Sequence, residues 1–131
     1  MRLLIVDDEQ PVLHFVERVL REAGYQTAVA ADGAEALNLV ARLGEFDMLV
    51  TDMMMPGMNG AELARRLRQS QPGLKVLYLT GFSDKLFEEK VMLWDDEAFL
   101  DKPSSAAALR QAVSLLLFRR FETDVPAQIC T

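Results

Sequence analysis

Two hydrophobic periods alternate along this chain. Leu3 to Val6 is an unbroken apolar run closed by two acids, and it predicts a short buried strand. From Pro11 to Ala23 the period lengthens. Val12, Val16, Val19, Leu20 and Ala23 recur at three and four and predict one apolar helical face, with Pro11 in the first turn and Gly24 at the stop. Gln26 to Ala30 is half polar, as suits an edge strand. Asp32 is placed to cap a helix from Gly33 to Leu43 with Ala36, Leu37 and Val40 inward. Met48 to Val50 predicts a buried strand, Asp52 to Asn59 a loop marked by Pro56-Gly57, and Gly60 to Gln69 a helix with Leu63 and Leu67 inward. Beyond the Pro72-Gly73 turn come a strand at Lys75 to Leu79, a helix near Asp84 to Leu93, and a short strand at Ala98 to Leu100. A last helix, capped by Ser104 or Ser105, runs to about Phe121.

Strand and helix thus alternate five times. That pattern predicts an α/β fold, a parallel sheet covered by helices on both faces and joined by right-handed crossovers. The half-polar second strand belongs at an edge, which gives a doubly wound five-stranded sheet of order 2-1-3-4-5. One domain over residues 1–121 and a loose tail over 122–131 are expected, because the tail loses periodicity and contains Pro126.

Composition then limits the partners. The chain has 131 residues, half of them apolar, and a net charge of −6. The apolar content excludes a disordered chain, and the acidic balance argues against nucleic acid or an anionic membrane as partner. Cys130 stands alone, so no intrachain disulfide forms, and no apolar run approaches the roughly 20 residues that span a bilayer. A cytoplasmic protein is expected. A complete small protein is expected from the start at Met1 and the irregular tail, with a piece of a longer hybrid kinase or regulator as the other expectation.

The polar residues that follow the apolar runs carry the chemistry. Asp7 and Asp8 follow the first strand, Asp52 the third, Thr80 the fourth and Lys102 the fifth. In an open α/β sheet the carboxyl ends of the strands form one rim, and order 2-1-3-4-5 sets the acid-bearing first and third strands side by side. Acids crowded there disfavour one another's ionised form unless a cation is present, and a small hard cation with oxygen ligands, Mg²⁺ (or Mn²⁺), suits them. With Lys102 and the Thr80 hydroxyl, such a centre offers partners for the outer oxygens of a phosphoryl group, and a carboxylate can itself be the nucleophile.

Four blocks in order, Val6-Asp7-Asp8-Glu9, Asp52 to Gly60, Leu79-Thr80-Gly81 and Phe99-Leu100-Asp101-Lys102-Pro103, resemble the receiver domain of bacterial two-component response regulators. The resemblance runs from about Leu3 to Phe121 and implies a flavodoxin-like (βα)5 fold. It implies that Asp52 takes a phosphoryl group from a histidine of a sensor kinase or phosphotransfer protein. Asp7, Asp8, Asp52 and the Met54 backbone carbonyl would hold Mg²⁺. Lys102 and Thr80 would bind the phosphoryl group, and Phe99 would be the aromatic switch that moves inward as Thr80 turns. Pro103 would follow the family's often cis peptide bond, and Gly81 would leave the approach open. The face built by the predicted fourth helix, fifth strand and last helix would meet a downstream protein, or the phosphoryl group would be passed on in a relay. Met54 and Phe82 stand where the family's side chains flank the site, and neither orients water, so slow self-hydrolysis is expected. Trp94 to Glu97 and Ser104 also depart from the family's usual residues, so the output face is individual to this chain.

Other readings compete. A haloacid-dehalogenase-like phosphatase shares the aspartyl phosphate but wants an acid where Met54 stands. A flavin binder wants a small-residue loop where Asp7 to Gln10 stand. A DNA-binding role lacks a basic face. Plainer expectations hold elsewhere: His14 exposed, Arg65, Arg66 and Arg68 a solvated helix face, and Met53, Met54 and Met55 loop packing rather than a soft-metal site. Leu115, Leu116, Leu117, Phe118 and Phe121 point more than one way round the last helix, which suggests a partner or homodimer surface.

Overall fold

The computed structural model describes residues 1–80, 97–101 and 105–118, and for Thr80 and Asp101 the backbone alone. Its elements are β1 (Arg2–Val6), α1 (Gln10–Glu22), β2 (Gln26–Ala30), α2 (Gly33–Leu43), β3 (Met48–Asp52), α3 (Gly60–Arg68), β4 (Lys75–Thr80), β5 (Glu97–Asp101) and α4 (Ala106–Leu117). The sheet has five strands in the order β2-β1-β3-β4-β5, all neighbours parallel, as the pattern predicts. The helix expected near residues 84–93 and the tail at 122–131 lie outside the described residues.

Strand side chains alternate across the sheet and feed two cores. Leu4, Val6, Leu49, Val76 and Tyr78 join Ala36, Leu63 and Leu67 of α2 and α3 on one face. Leu3, Ile5, Met48, Val50, Leu77 and Leu79 join Leu13, Val16, Leu20, Leu109, Val113 and Leu116 of α1 and α4 on the other. β1 and β3 are buried from both sides, which is why they read as continuous apolar runs. β2 is only partly covered and forms an edge.

Several local expectations change. β3 extends to Asp52, so the acid is the last residue of a strand and not the first of a loop. β4 and β5 also each carry their polar end residue, because ladder bonding continues past the apolar stretch. Leu13 lies in the α1 stripe, while Ala23 is exposed past the helix end, where Gly24 takes φ +102°. Ser105 caps α4, accepting from Ala108 N at 3.0 Å, and α4 ends at Leu117. Leu116 is buried, whereas Leu115 and Phe118 face outward. Phe121 lies outside the described residues.

Candidate functional site

Strand order builds the site. β1 and β3 are neighbours with Val6 opposite Thr51, so Asp7, just past β1, and Asp52, the last residue of β3, stand at the same level. Asp7, Asp8 and Asp52 each present a carboxylate oxygen, and the three oxygens lie within 4.8 Å of one another. The three acids predicted to converge therefore do so. Asp7 is fully buried and Asp52 nearly so, while Asp8 is exposed, which leaves the cluster open on one side.

Backbone donors orient the two buried acids. Asp7 Oδ1 accepts from Glu9 N at 2.9 Å, and the Asp7 N–H reaches Ala30 O at 3.2 Å. Asp52 Oδ1 accepts from Met54 N at 3.3 Å. The Met54 side chain is exposed, whereas Met53 and Met55 are buried in the loop as expected.

The floor beneath Asp52 is held from three directions. The buried Thr51 hydroxyl donates to the Asp52 carbonyl at 3.0 Å. Met53 N donates to Leu79 O at 3.0 Å and ties the loop to β4. Gly60 opens α3 so close that a Cβ there would stand 2.4 Å from the Asp52 carbonyl oxygen. Asn59 caps the same helix, accepting from Glu62 N at 2.8 Å.

This donor set fits a small divalent cation. Three carboxylates supply hard oxygen ligands, and gathering them, two without water, favours a counter-charge. Neither thiolate nor imidazole belongs to the cluster. Magnesium or manganese suits it better than a soft metal.

The remaining predicted residues are placed unevenly. Thr80 closes β4 in register with Asp101, one step beyond the Asp52–Leu79 pair. Lys102, Pro103, Ser104, Gly81, Phe82 and Trp94 to Asp96 lie outside the described residues, as does the Thr80 side chain. Phe99 is half-buried in the α2–α3 core, its ring stacked on Tyr78 with centroids 5.0 Å apart and planes 22° from parallel. His14 is exposed, as expected.

Arg68 departs from the solvated face expected of it. Its side chain is only 23% exposed and bonds Glu97 Oε2 at 2.6 Å, while Nε and Nη2 bond Leu74 O at 3.1 and 2.8 Å. Arg65 and Arg66 do stay outside, pairing with Glu62 and holding its carboxyl below the usual range, Arg66 foremost. Glu97 was expected only to depart from the family's usual residue and Tyr78 only to lie in a strand, with no contact foreseen for either. Glu97 is buried, and the Tyr78 hydroxyl lies 3.3 Å from its Oε2. Burial, and then the Glu97 charge, push the Tyr78 phenol above the ordinary tyrosine range. An acid two residues before Phe99, on the same strand face, was the available signal.

The chain matches the family model of the response regulator receiver domain over residues 3–114. It is 35% identical over 116 residues to the sensor kinase CckA of Brucella abortus, a match covering 88% of this chain and 12% of that protein. It is 33% identical over 128 residues to the transcriptional regulatory protein CusR of Escherichia coli, covering 98% of this chain and 56% of CusR. The chain thus spans about half of one relative and a small part of the other. Its fold matches the response regulator protein TrrA of Thermotoga maritima, solved in complex with Mg²⁺-BeF, with a TM-score of 0.75 and 30% identity over 88% of this chain and 98% of that one. The haloacid dehalogenase alternative finds no support in these matches. Among the described residues no helix is long and apolar enough to cross a membrane.

Proposed function

The chain belongs to the response regulator receiver domain family, and from that premise we propose that it is a phosphorelay module whose Asp52 accepts a phosphoryl group from a phosphohistidine of a sensor kinase or phosphotransfer protein. The convergence of Asp7, Asp8 and Asp52 oxygens within 4.8 Å is the observation that carries the reading. The role is regulatory rather than that of a turnover enzyme.

An Asp52 carboxylate oxygen attacks phosphorus, the P–N bond to the donor imidazole breaks, and the departing ring nitrogen keeps the bonding pair and takes a proton from water. The product is an acyl phosphate, later cleaved when water attacks phosphorus and returns the carboxylate and inorganic phosphate. The Met54 amide holds one Asp52 oxygen, and so orients the carboxylate. Asp7, Asp8, Asp52 and the Met54 carbonyl would hold Mg²⁺ (or Mn²⁺). When bound, the ion neutralises charge on the phosphoryl oxygens. Lys102 and the Thr80 hydroxyl receive the remaining oxygens, and Phe99 is the aromatic whose position reports Thr80.

Signalling follows from the altered face near β5 and α4, read by a downstream protein or by a second copy of this chain through Leu115 and Phe118. The receiver unit spans residues 1–121, with 122–131 as tail. The test is intact mass after incubation with acetyl phosphate, with and without Mg²⁺. A gain of one phosphoryl group that requires the ion and is absent from Asp52→Asn is expected. An equal gain in Asp52→Asn, or none in the wild type, overturns the proposal.

A further inference from the structure

Away from the acids, on the α3 face of the sheet, one polar chain runs from the end of α3 to the ring of Phe99. Arg68 grips the Leu74 carbonyl through two nitrogens and Glu97 through a third. Glu97 Oε2 accepts from the Tyr78 hydroxyl, and the Tyr78 ring lies against Phe99. Register makes the contact obligatory, because Tyr78 and Phe99 are direct partners across β4 and β5, with Thr51 next to Tyr78 on β3. Each link restricts a different freedom. The arginine fork fixes Glu97, the phenol bond fixes the tilt of Tyr78, and the stack fixes the ring plane of Phe99.

We propose that Tyr78 is a positioning residue for Phe99. Held through Glu97 by Arg68, it fixes the resting orientation of that ring and so sets the conformational equilibrium that a phosphoryl group on Asp52 must shift. This rests on the reading of Phe99 as the moving aromatic and adds the residue that opposes its movement. A ligand that binds only the shifted state binds more tightly when the resting state is weakened. Losing an aromatic pair therefore raises its apparent affinity by roughly 2- to 12-fold.

The experiment titrates the full chain with beryllofluoride, a phosphoryl mimic, in the presence of Mg²⁺. The fluorine signal of Phe99 is followed in fluorophenylalanine-labelled protein, assigned by its loss in Phe99→Leu. Tyr78→Leu is expected to tighten beryllofluoride binding by that factor and to move the unliganded Phe99 signal toward its saturated position. Tyr78→Phe and Glu97→Ala, which keep both rings but cut the tether, move both readouts the same way by less. They carry the test if Tyr78→Leu does not fold. Val19→Ala, a destabilised control on the opposite face of the sheet, leaves the Phe99 signal in place. Wild-type protein that binds no beryllofluoride refutes the phosphoryl-site reading itself. Binding in which folded Tyr78 and Glu97 variants leave affinity and the Phe99 signal unchanged, or change them no more than Val19→Ala does, refutes the positioning role alone.

Discussion

Asp7 and Asp52 are withdrawn from water while Asp8 is not, and that difference orders their responses to substitution. Asp7→Asn removes a buried charge from the cation's site, and it is expected to weaken Mg²⁺ binding by about tenfold or more, measured by calorimetric titration. Unchanged affinity would remove Asp7 from the ligand set. Gly60 is constrained more tightly still. Gly60→Ala drives a methyl group against the Asp52 carbonyl, a backbone atom with little room to yield, and should cost about 1–3 kcal/mol in urea unfolding. A neutral result would mean α3 can retreat from β3. Met54 presents an exposed thioether that cannot orient water, so the acyl phosphate is expected to outlast seconds in purified protein. A lifetime of seconds, followed by intact mass, would contradict that. The three acids were legible in sequence because each closes an apolar run, where strand ends meet at one rim. The part played by Gly60 was not, since it depends on how closely a helix approaches a strand end.

Between elements, α3 is anchored at both ends. Asn59 caps its start, and Arg68 fastens its finish to Leu74 and to Glu97 of β5. Three arginines within four positions look alike in a helical pattern, and only the placement of Leu74 and of β5 separates Arg68 from its neighbours. The ends of β3, β4 and β5 were underestimated for a related reason. Apolarity marks where a strand is buried, but backbone pairing carries it on through Asp52, Thr80 and Asp101. The phenol of Tyr78 gives this region a pH signature. Burial, followed by the Glu97 charge, raises its pKa in the folded chain, so the native state keeps the proton more firmly than the unfolded state. Its contribution is complete below the unfolded value of about 10 and falls away as pH climbs through the higher folded value. Urea titrations through this alkaline range should therefore show wild-type stability falling more steeply than that of Tyr78→Phe. Parallel slopes would mean Tyr78 is not shielded.

Across the whole molecule, the sheet order was legible because β2 reads as half polar, as an edge strand does, and the acid-bearing strands belong side by side. The chain carries a net charge of −6 and gathers three acids at one rim, so a divalent ion should stabilise the fold as a whole. An ion that binds only the native state stabilises it by about 2.7 kcal/mol at a hundredfold excess over its dissociation constant. Melting followed with Mg²⁺ and then with excess chelator should show that gain and its loss. Identical melting curves would contradict a cation site. The central claim concerns the identity of one acceptor residue. The most direct measurement treats the acetyl-phosphate-reacted protein with borohydride, which reduces an acyl phosphate to an alcohol, and locates the reduced residue by peptide mass spectrometry. Reduction at position 52 alone, dependent on Mg²⁺, is the predicted result; an unreduced Asp52 in phosphorylated protein, or reduction at Asp7 or Asp8 instead, would contradict it.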